Sequence, residues 1–324
     1  MILRLPPCRQ RGVAVITALL LTTLAVTIVA SLFWQQQVQV RSIENQRLHL
    51  QTKWILRGAL DWGRLILRED AKFSTVDHLG EPWAVSLAET RLDQYVENAR
   101  ADSEQSDATL SGHVVDAQSR FNLVNLAEKG SIDPREVAVF GRLLSNLHLN
   151  PALAQATATL LASTQKAATS NTAAAPADNA ATGSAAQPLT LLQLDDVLAV
   201  PGFTGEALAT LRDFVVVLPR ATAVNVNTAP AEVLAARIEG LALSDATTLV
   251  ASRASAYFRD INDFKLRLSG KTINESAKDI ATTTNFFLVY GTVRLNRASL
   301  EMQALIERSS GNNIGTKVIW VRDN

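Results

Sequence analysis

Cysteine is nearly missing from the chain. The single copy, Cys8, stands ahead of the first apolar run, so no internal disulfide can form. A lipid-modified cysteine would close such a run, so that anchor is excluded. Aromatic residues make up only 6% of the 324 residues, and the formal net charge is zero. A balanced charge gives no electrostatic footprint for nucleic acid. Signatures of catalysis are absent too: there is no Gly-x-Ser-x-Gly elbow, Walker A loop, His-Glu-x-x-His pair or EF-hand loop. His49, His78, His113 and His148 are scattered singly, which argues against a zinc site. The expectation is no enzyme and no small-molecule substrate.

What is present begins with Val13 to Trp34, VAVITALLLTTLAVTIVASLFW, 22 residues without a charge. At 1.5 Å per residue they cross a hydrocarbon core about 30 Å thick. Arg4, Arg9 and Arg11 precede them, and the first acidic residue is Glu44. Positive flanks stay cytoplasmic, so the bulk of the chain is expected on the far side of the membrane. A cleaved secretory signal fits poorly, because its apolar region is shorter and ends in small residues. The natural processing point lies before the run, at Gly12.

That arrangement resembles the class III leader of type IV pilins and type II secretion pseudopilins. The resemblance implies that a prepilin peptidase cuts after Gly12 and methylates the new amino terminus at Val13. Members of the family usually carry glutamate at the fifth mature position, where this chain has Thr17. An unpaired carboxylate in lipid is costly, and its family partner is the amino terminus of the preceding subunit. Thr17 therefore suits a subunit with nothing ahead of it. Loss of the leader takes 31 basic residues to 28 against 31 acidic ones and leaves no cysteine, which fits an oxidising periplasm.

Beyond Trp34 nothing breaks the helix. Leu48, Ile55, Ala59, Trp62 and Ile66 fall on one face, so a continuous spine from Val13 to about Leu67 is expected. Ala84 to Tyr95 reads as a short helix at best, after a turn at Leu79 to Pro82. Val114–Val115 and Phe121–Leu123 around Asp116 to Ser119 read as a hairpin. Asp133-Pro134-Arg135-Glu136 is a helix start with an N-cap and a first-turn proline. Residues 163–188 hold no large apolar side chain and read as a disordered linker or loop.

Two helix–turn–helix units follow, 194–215 around Pro201-Gly202-Phe203 and 224–264 beginning VNVNTAP. Asn227 or Thr228 is the expected cap of one helix and Ser244 of the next. These units resemble the helix-hairpin-helix fold of DNA-binding proteins, including membrane-anchored competence receptors. They equally resemble the helical insertion of the minor pseudopilin called general secretion pathway protein K. Phosphate binding by a helix-hairpin-helix uses a Gly-apolar-Gly turn, whereas Gly202-Phe203-Thr204 and Gly240-Leu241-Ala242 lack the second glycine. Between Arg220 and Gly270 six basic residues face five acidic ones, too few uncompensated cations for tight duplex binding.

Phe286 to Tyr290, Val293 to Leu295, Leu300 to Ile306 and Lys317 to Val321 are the closing strands, with a turn at Asn296-Arg297. The order of leader, FNLVN (121–125), PGF, VNVNTAP and TTTNFFLVYGTV (282–293) resembles the K-type minor pseudopilins over nearly the whole chain. The implied fold is α+β: a long transmembrane and spine helix, a pilin-like antiparallel sheet and an inserted all-helical domain with helix-hairpin-helix-like units. The boundaries expected are leader 1–12, membrane segment 13–34, spine and first pilin part 35–125, helical insertion 126–280 and closing strands 281–324. The implied function is capping the periplasmic tip of the pseudopilus in protein export. Its partners would be other minor pseudopilins, the major pseudopilin, the prepilin peptidase and the inner membrane. Calcium is a possible ligand by the same resemblance, with Asp195-Asp196 or Asp260 and Asp263 as acidic candidates. The alternative is a membrane-anchored periplasmic DNA-binding protein of the competence-receptor type.

Overall fold

A computed structural model describes residues 11–92, 108–170, 191–268, 279–309 and 314–323. The first helix, α1 (Arg11–Phe73), runs unbroken for 63 residues, about 95 Å. Its apolar first half is exposed throughout. Thr17, Thr22, Thr23 and Thr27 return their hydroxyls to carbonyls three or four residues earlier. Such back-bonding hides a polar group on an apolar helix. The spine is thus longer than expected, by six residues at its carboxyl end.

The second half of α1 lies across a five-stranded antiparallel sheet, β1 (Leu87–Arg91), β2 (Ala108–Asp116), β3 (Phe286–Leu295), β4 (Ala298–Ser309) and β5 (Gly315–Asp323), in that spatial order. The expected runs Phe286 to Tyr290 and Val293 to Leu295 join into the single strand β3, while the other two closing strands fall where expected and Asn296 takes the left-handed region at the β3–β4 turn (φ 52°). The helix buries Thr52, Leu56, Leu60, Gly63 and Leu67. The expected face is therefore rotated: Ile55, Ala59 and Ile66 flank the contact and Trp62 is 51% exposed. Heptad-like spacing located the stripe to within one flank, with Trp62 left outside the contact. Leu56, Leu60 and Leu67 together with Trp83, Phe287, Val289 and Ile306 form the core between helix and sheet. Each fully buried aliphatic there contributes about 1.5–3 kcal/mol. Gly112 has no alternative, since a Cβ would lie 2.5 Å from the Tyr290 carbonyl oxygen.

Two expectations for local structure fail. Residues 87–91 form strand β1 where a short helix was expected, because β2 supplies a partner beyond the reach of local spacing. Val114 and Val115 belong to no hairpin. Both faces of β2 are covered, which explains two adjacent apolar residues, and the chain leaves the sheet at Asp116. A single 3-10 turn, Ala117–Ser119, then sends Phe121–Asn122 into a parallel pairing with Val215–Val216. Phe121 stacks on Phe140, centroids 5.3 Å apart, deep in a second core.

That second core belongs to the chain between β2 and β3, which is wholly inserted into the sheet. It contains α2 (Pro134–Asn146), α3 (Leu153–Ser170), α4 (Gly205–Leu211), α5 (Ala231–Arg237), α6 (Leu243–Ser255) and α7 (Ile261–Leu266). Asp133 caps α2 by accepting from Arg135 N, with Pro134 in the first turn, as the sequence indicates. Residues 163–170 continue α3, with Thr164 buried against Leu161; from 171 the expected loop lies outside the described residues. The caps of α5 and α6 are Pro230 and Ala242. Asn227, Thr228 and Ser244 do not cap, because the first two turn inward to a buried task.

Candidate functional site: a buried joint at the far end of the spine

Where α1 ends, three parts of the molecule meet: the spine, the sheet and the helical insertion. Asp70 comes from the last turns of α1, Asp77 and Glu81 from the loop after it, Asp116 from the end of β2 and Arg308 from the end of β4. The insertion contributes Asn225 and Thr228 from VNVNTAP, and Thr284 precedes β3. Arg308 is nearly fully buried and donates to Asp70 Oδ2 at 2.8 Å, to Asp77, and to the Thr284 carbonyl at 3.2 Å. Its guanidinium lies 4.6 Å above the Phe287 ring. Asp77 also accepts from Thr284 N at 2.7 Å.

Asp116 is the second centre. One carboxylate oxygen accepts from Gln118 N and Thr284 Oγ1, both at 2.7 Å. The other accepts from Asn225 Nδ2 at 2.9 Å and Thr228 Oγ1 at 2.6 Å. Asn225 Nδ2 also donates to the Asp77 carbonyl, so the two centres are linked. Four donors satisfy one fully enclosed carboxylate, as burial demands. Burial nevertheless pushes Asp116 up to about 6. Asp70 is likewise raised to about 6, first by burial and then by Glu81. Burial also raises Asp77, against the pull of Arg308.

The asparagines of the two sequence motifs are connectors. Asn122 and Asn125 of FNLVN bind the strap at Leu218 to Thr222. Asn227 exchanges two hydrogen bonds with Phe258, donating to its carbonyl and accepting from its N–H. The motif beginning VNVN is thus explained by internal wiring. The region's cations are also committed inward: Arg237 forms a buried pair with Glu136, and Arg253 donates to the Val226 carbonyl. The DNA alternative loses two of its six basic residues on that ground.

Calcium finds no fit at this joint. Asp70, Asp77 and Glu81 are the one cluster of metal-ligating residues among the described residues, with ligand atoms within 4.8 Å of one another. Calcium takes six to eight oxygens. Arg308 already bridges Asp70 and Asp77 as a fixed cation, and Glu81 Oε2 accepts from His78 N and Trp83 Nε1. Glu81 Oε1 is buried without a hydrogen-bond partner, and so is Arg308 Nε in the same joint. The other acidic candidates are helix caps and surface pairs. Asp196 accepts from Leu192 N and Gln193 N, and Asp195 pairs with Arg212. Asp260 caps α7, while Asp263 pairs with Arg267.

At the opposite end of α1, Gly12 and Val13 lie in its first turn. Thr17 Oγ1 donates to the Val13 and Ala14 carbonyls, both at 3.0 Å. The sequence pointed to that amino-terminal group. It did not point to Asp70, Asp77, Asp116 or Arg308, which come together from far apart. An acid closing an apolar strand, as in His113-Val114-Val115-Asp116, was the one available signal.

The family described as "Type II secretion system (T2SS), protein K" matches at residues 119–220 and again at 224–284, most of the helical insertion. In solved structures, the fold resembles a chain of the GspK-GspI-GspJ complex from enterotoxigenic Escherichia coli. There the TM-score is 0.63 at 19% identity, covering 87% of this chain and 98% of that one. The type II secretion system protein K of Klebsiella pneumoniae is 26% identical over 148 residues, 44% of this chain and 41% of its own. That of Pseudomonas aeruginosa is 31% identical over 94% of this chain and 91% of its own length. Likeness on that scale takes in the spine and the closing strands as well as the insertion, and this chain belongs to the type II secretion system protein K family.

Proposed function

We propose that the chain is the minor pseudopilin at the periplasmic tip of a type II secretion pseudopilus. The observation that carries this reading is where the insertion is attached. It docks through Asp77 and Asp116, with His78 stacked on Tyr257 (centroids 4.0 Å apart). His78 lies just beyond the end of α1, the end farthest from the apolar segment. A bulky head there hinders a further subunit from stacking above it, while the spine below remains free to pack.

In this reading α1 enters the inner membrane with its amino terminus towards the cytoplasm, and the head is periplasmic. Prepilin peptidase removes residues 1–12, leaving Val13 as a methylated first residue. The mature helix then leaves lipid and packs into a short fibre with two other minor pseudopilins and the major pseudopilin. Likeness to a chain solved with two companions supports that partnership. The role is assembly in support of protein export, without catalysis.

The test is to isolate pseudopili carrying a tagged copy and to sequence its amino terminus. A terminus at Val13 and a label at one end of each fibre are expected. Label spread along the fibre would refute the tip position.

A further inference from the structure

Along one flank of α1 the helix and the edge strand β5 stand apart. Leu56, Leu60 and Met302 form the floor of a furrow with a volume of about 340 Å³, and Leu50, Trp54 and Val321 form its upper walls. The floor is buried, whereas the walls are open: Trp54 is 74% exposed, Leu50 56% and Val321 45%. Three large apolar side chains exposed around one hollow mark an interaction surface. Trp54 lies about 30 Å along the helix beyond Trp34, so the furrow clears the membrane segment.

The mouth is cationic. Lys53 and Arg57 flank the furrow. Lys53 reaches Asp323 at 2.9 Å, while Arg57 has no carboxylate partner among the described residues. Arg64 and Arg68 lie on the same helix face seven and eleven residues beyond Arg57, but Arg64 pairs with Asp61 at 2.8 Å and Arg68 lies 3.9 Å from Glu69, so Arg57 is the cation left for a partner. Residues four apart on a helix lie about 6 Å apart along its axis, the spacing of carboxylates one turn apart on a second helix. The opposite flank of α1 also has a hollow, of about 250 Å³ beside Trp62, Gly63 and Val85, but neither lysine nor arginine lines it.

We infer that the Trp54 furrow receives an amphipathic helix of a neighbouring pseudopilin, which inserts one large apolar side chain and sets an acidic residue against Arg57. A second copy of this chain is a poor occupant. Its own spine repeats Arg41, Arg47, Lys53 and Arg57, and Glu44 already faces Arg297. The inference rests on the pseudopilin reading above.

The test places a photo-crosslinking phenylalanine at Trp54 or Val321 of the full chain, co-expressed with the other pseudopilins of its system. Trp62, in the opposite hollow, is the control position. Irradiation in membranes should join positions 54 and 321 to one neighbouring pseudopilin, through a peptide containing aspartate or glutamate. Arg57→Glu should cut that adduct roughly five-fold, on the scale of one exposed ion pair, and Arg57→Lys should restore it. Adducts from position 62 alone, with lipid alone, with a second copy, or none from a chain that still co-purifies with the other pseudopilins would overturn the furrow assignment. A native chain that fails to co-purify with them at all overturns the pseudopilin reading itself.

Discussion

Asp116 is enclosed by four donors, yet its carboxyl is raised to about 6 from 3.8. The folded chain thus holds this proton more tightly than the unfolded chain does. Below about pH 4 both states are protonated and the site's contribution is complete; it is lost as pH rises towards 6. Asparagine does not titrate, so Asp116→Asn supplies the comparison, and Asp70 cancels because both proteins carry it. Relative to the variant, the native protein should gain roughly 1.4 kcal/mol between pH 7 and pH 5, or about 3 °C in Tm. Melts of the full chain in detergent would check this; a difference that stays constant with pH would count against a buried, titrating Asp116. The variant should also be weaker at pH 7, because its amide meets Asn225 or Thr228 donor to donor. The expected loss is about 1–3 kcal/mol.

Single elements show what local pattern can reveal. The spine was legible because an uninterrupted apolar run and a missing breaker are local properties. The same holds for α2, whose Asp133-Pro134 start fixes its own cap, and for β3 to β5, where alternation and a turn at Asn296 suffice. Strand β1 was not legible, since Leu87–Arg91 becomes a strand only by pairing with β2. Nor were the roles of Asn227 and Thr228: both precede a helix as good caps do, but their partners are Phe258 and Asp116. For α1 the informative position is Thr17, whose hydroxyl is satisfied within its own turn. A glutamate there would need the amino terminus of a preceding subunit to offset its desolvation. Thr17→Glu is therefore expected to leave secretion unimproved and to reduce assembly of the tagged chain into pseudopili. Better assembly than the native chain would defeat the argument from the tip.

At the scale of the whole molecule, the joint was hidden from the sequence for a plain reason. Arg308 and Asp70 are separated by 238 positions, and no periodicity spans such a distance. What reading in order did reveal was the sequence of parts, with strands on both sides of a helical region. That arrangement has a kinetic consequence. Strands β2 and β3 are immediate neighbours, pairing Asp116 with Phe287, yet the whole insertion lies between them. Closing so long a loop from a disordered chain costs about 4–5 kcal/mol before the first pairing is made. A folded insertion removes most of that cost, because its two ends already meet: Gln118 Oε1 accepts from Asn285 N at 2.7 Å. The helical core should therefore form first and act as the clasp on which the sheet zips shut. Pulse-labelled hydrogen exchange during refolding should find amides around Phe140 and Leu234 protected before those of β2 and β3. Simultaneous protection, or a sheet that forms first, would refute that order.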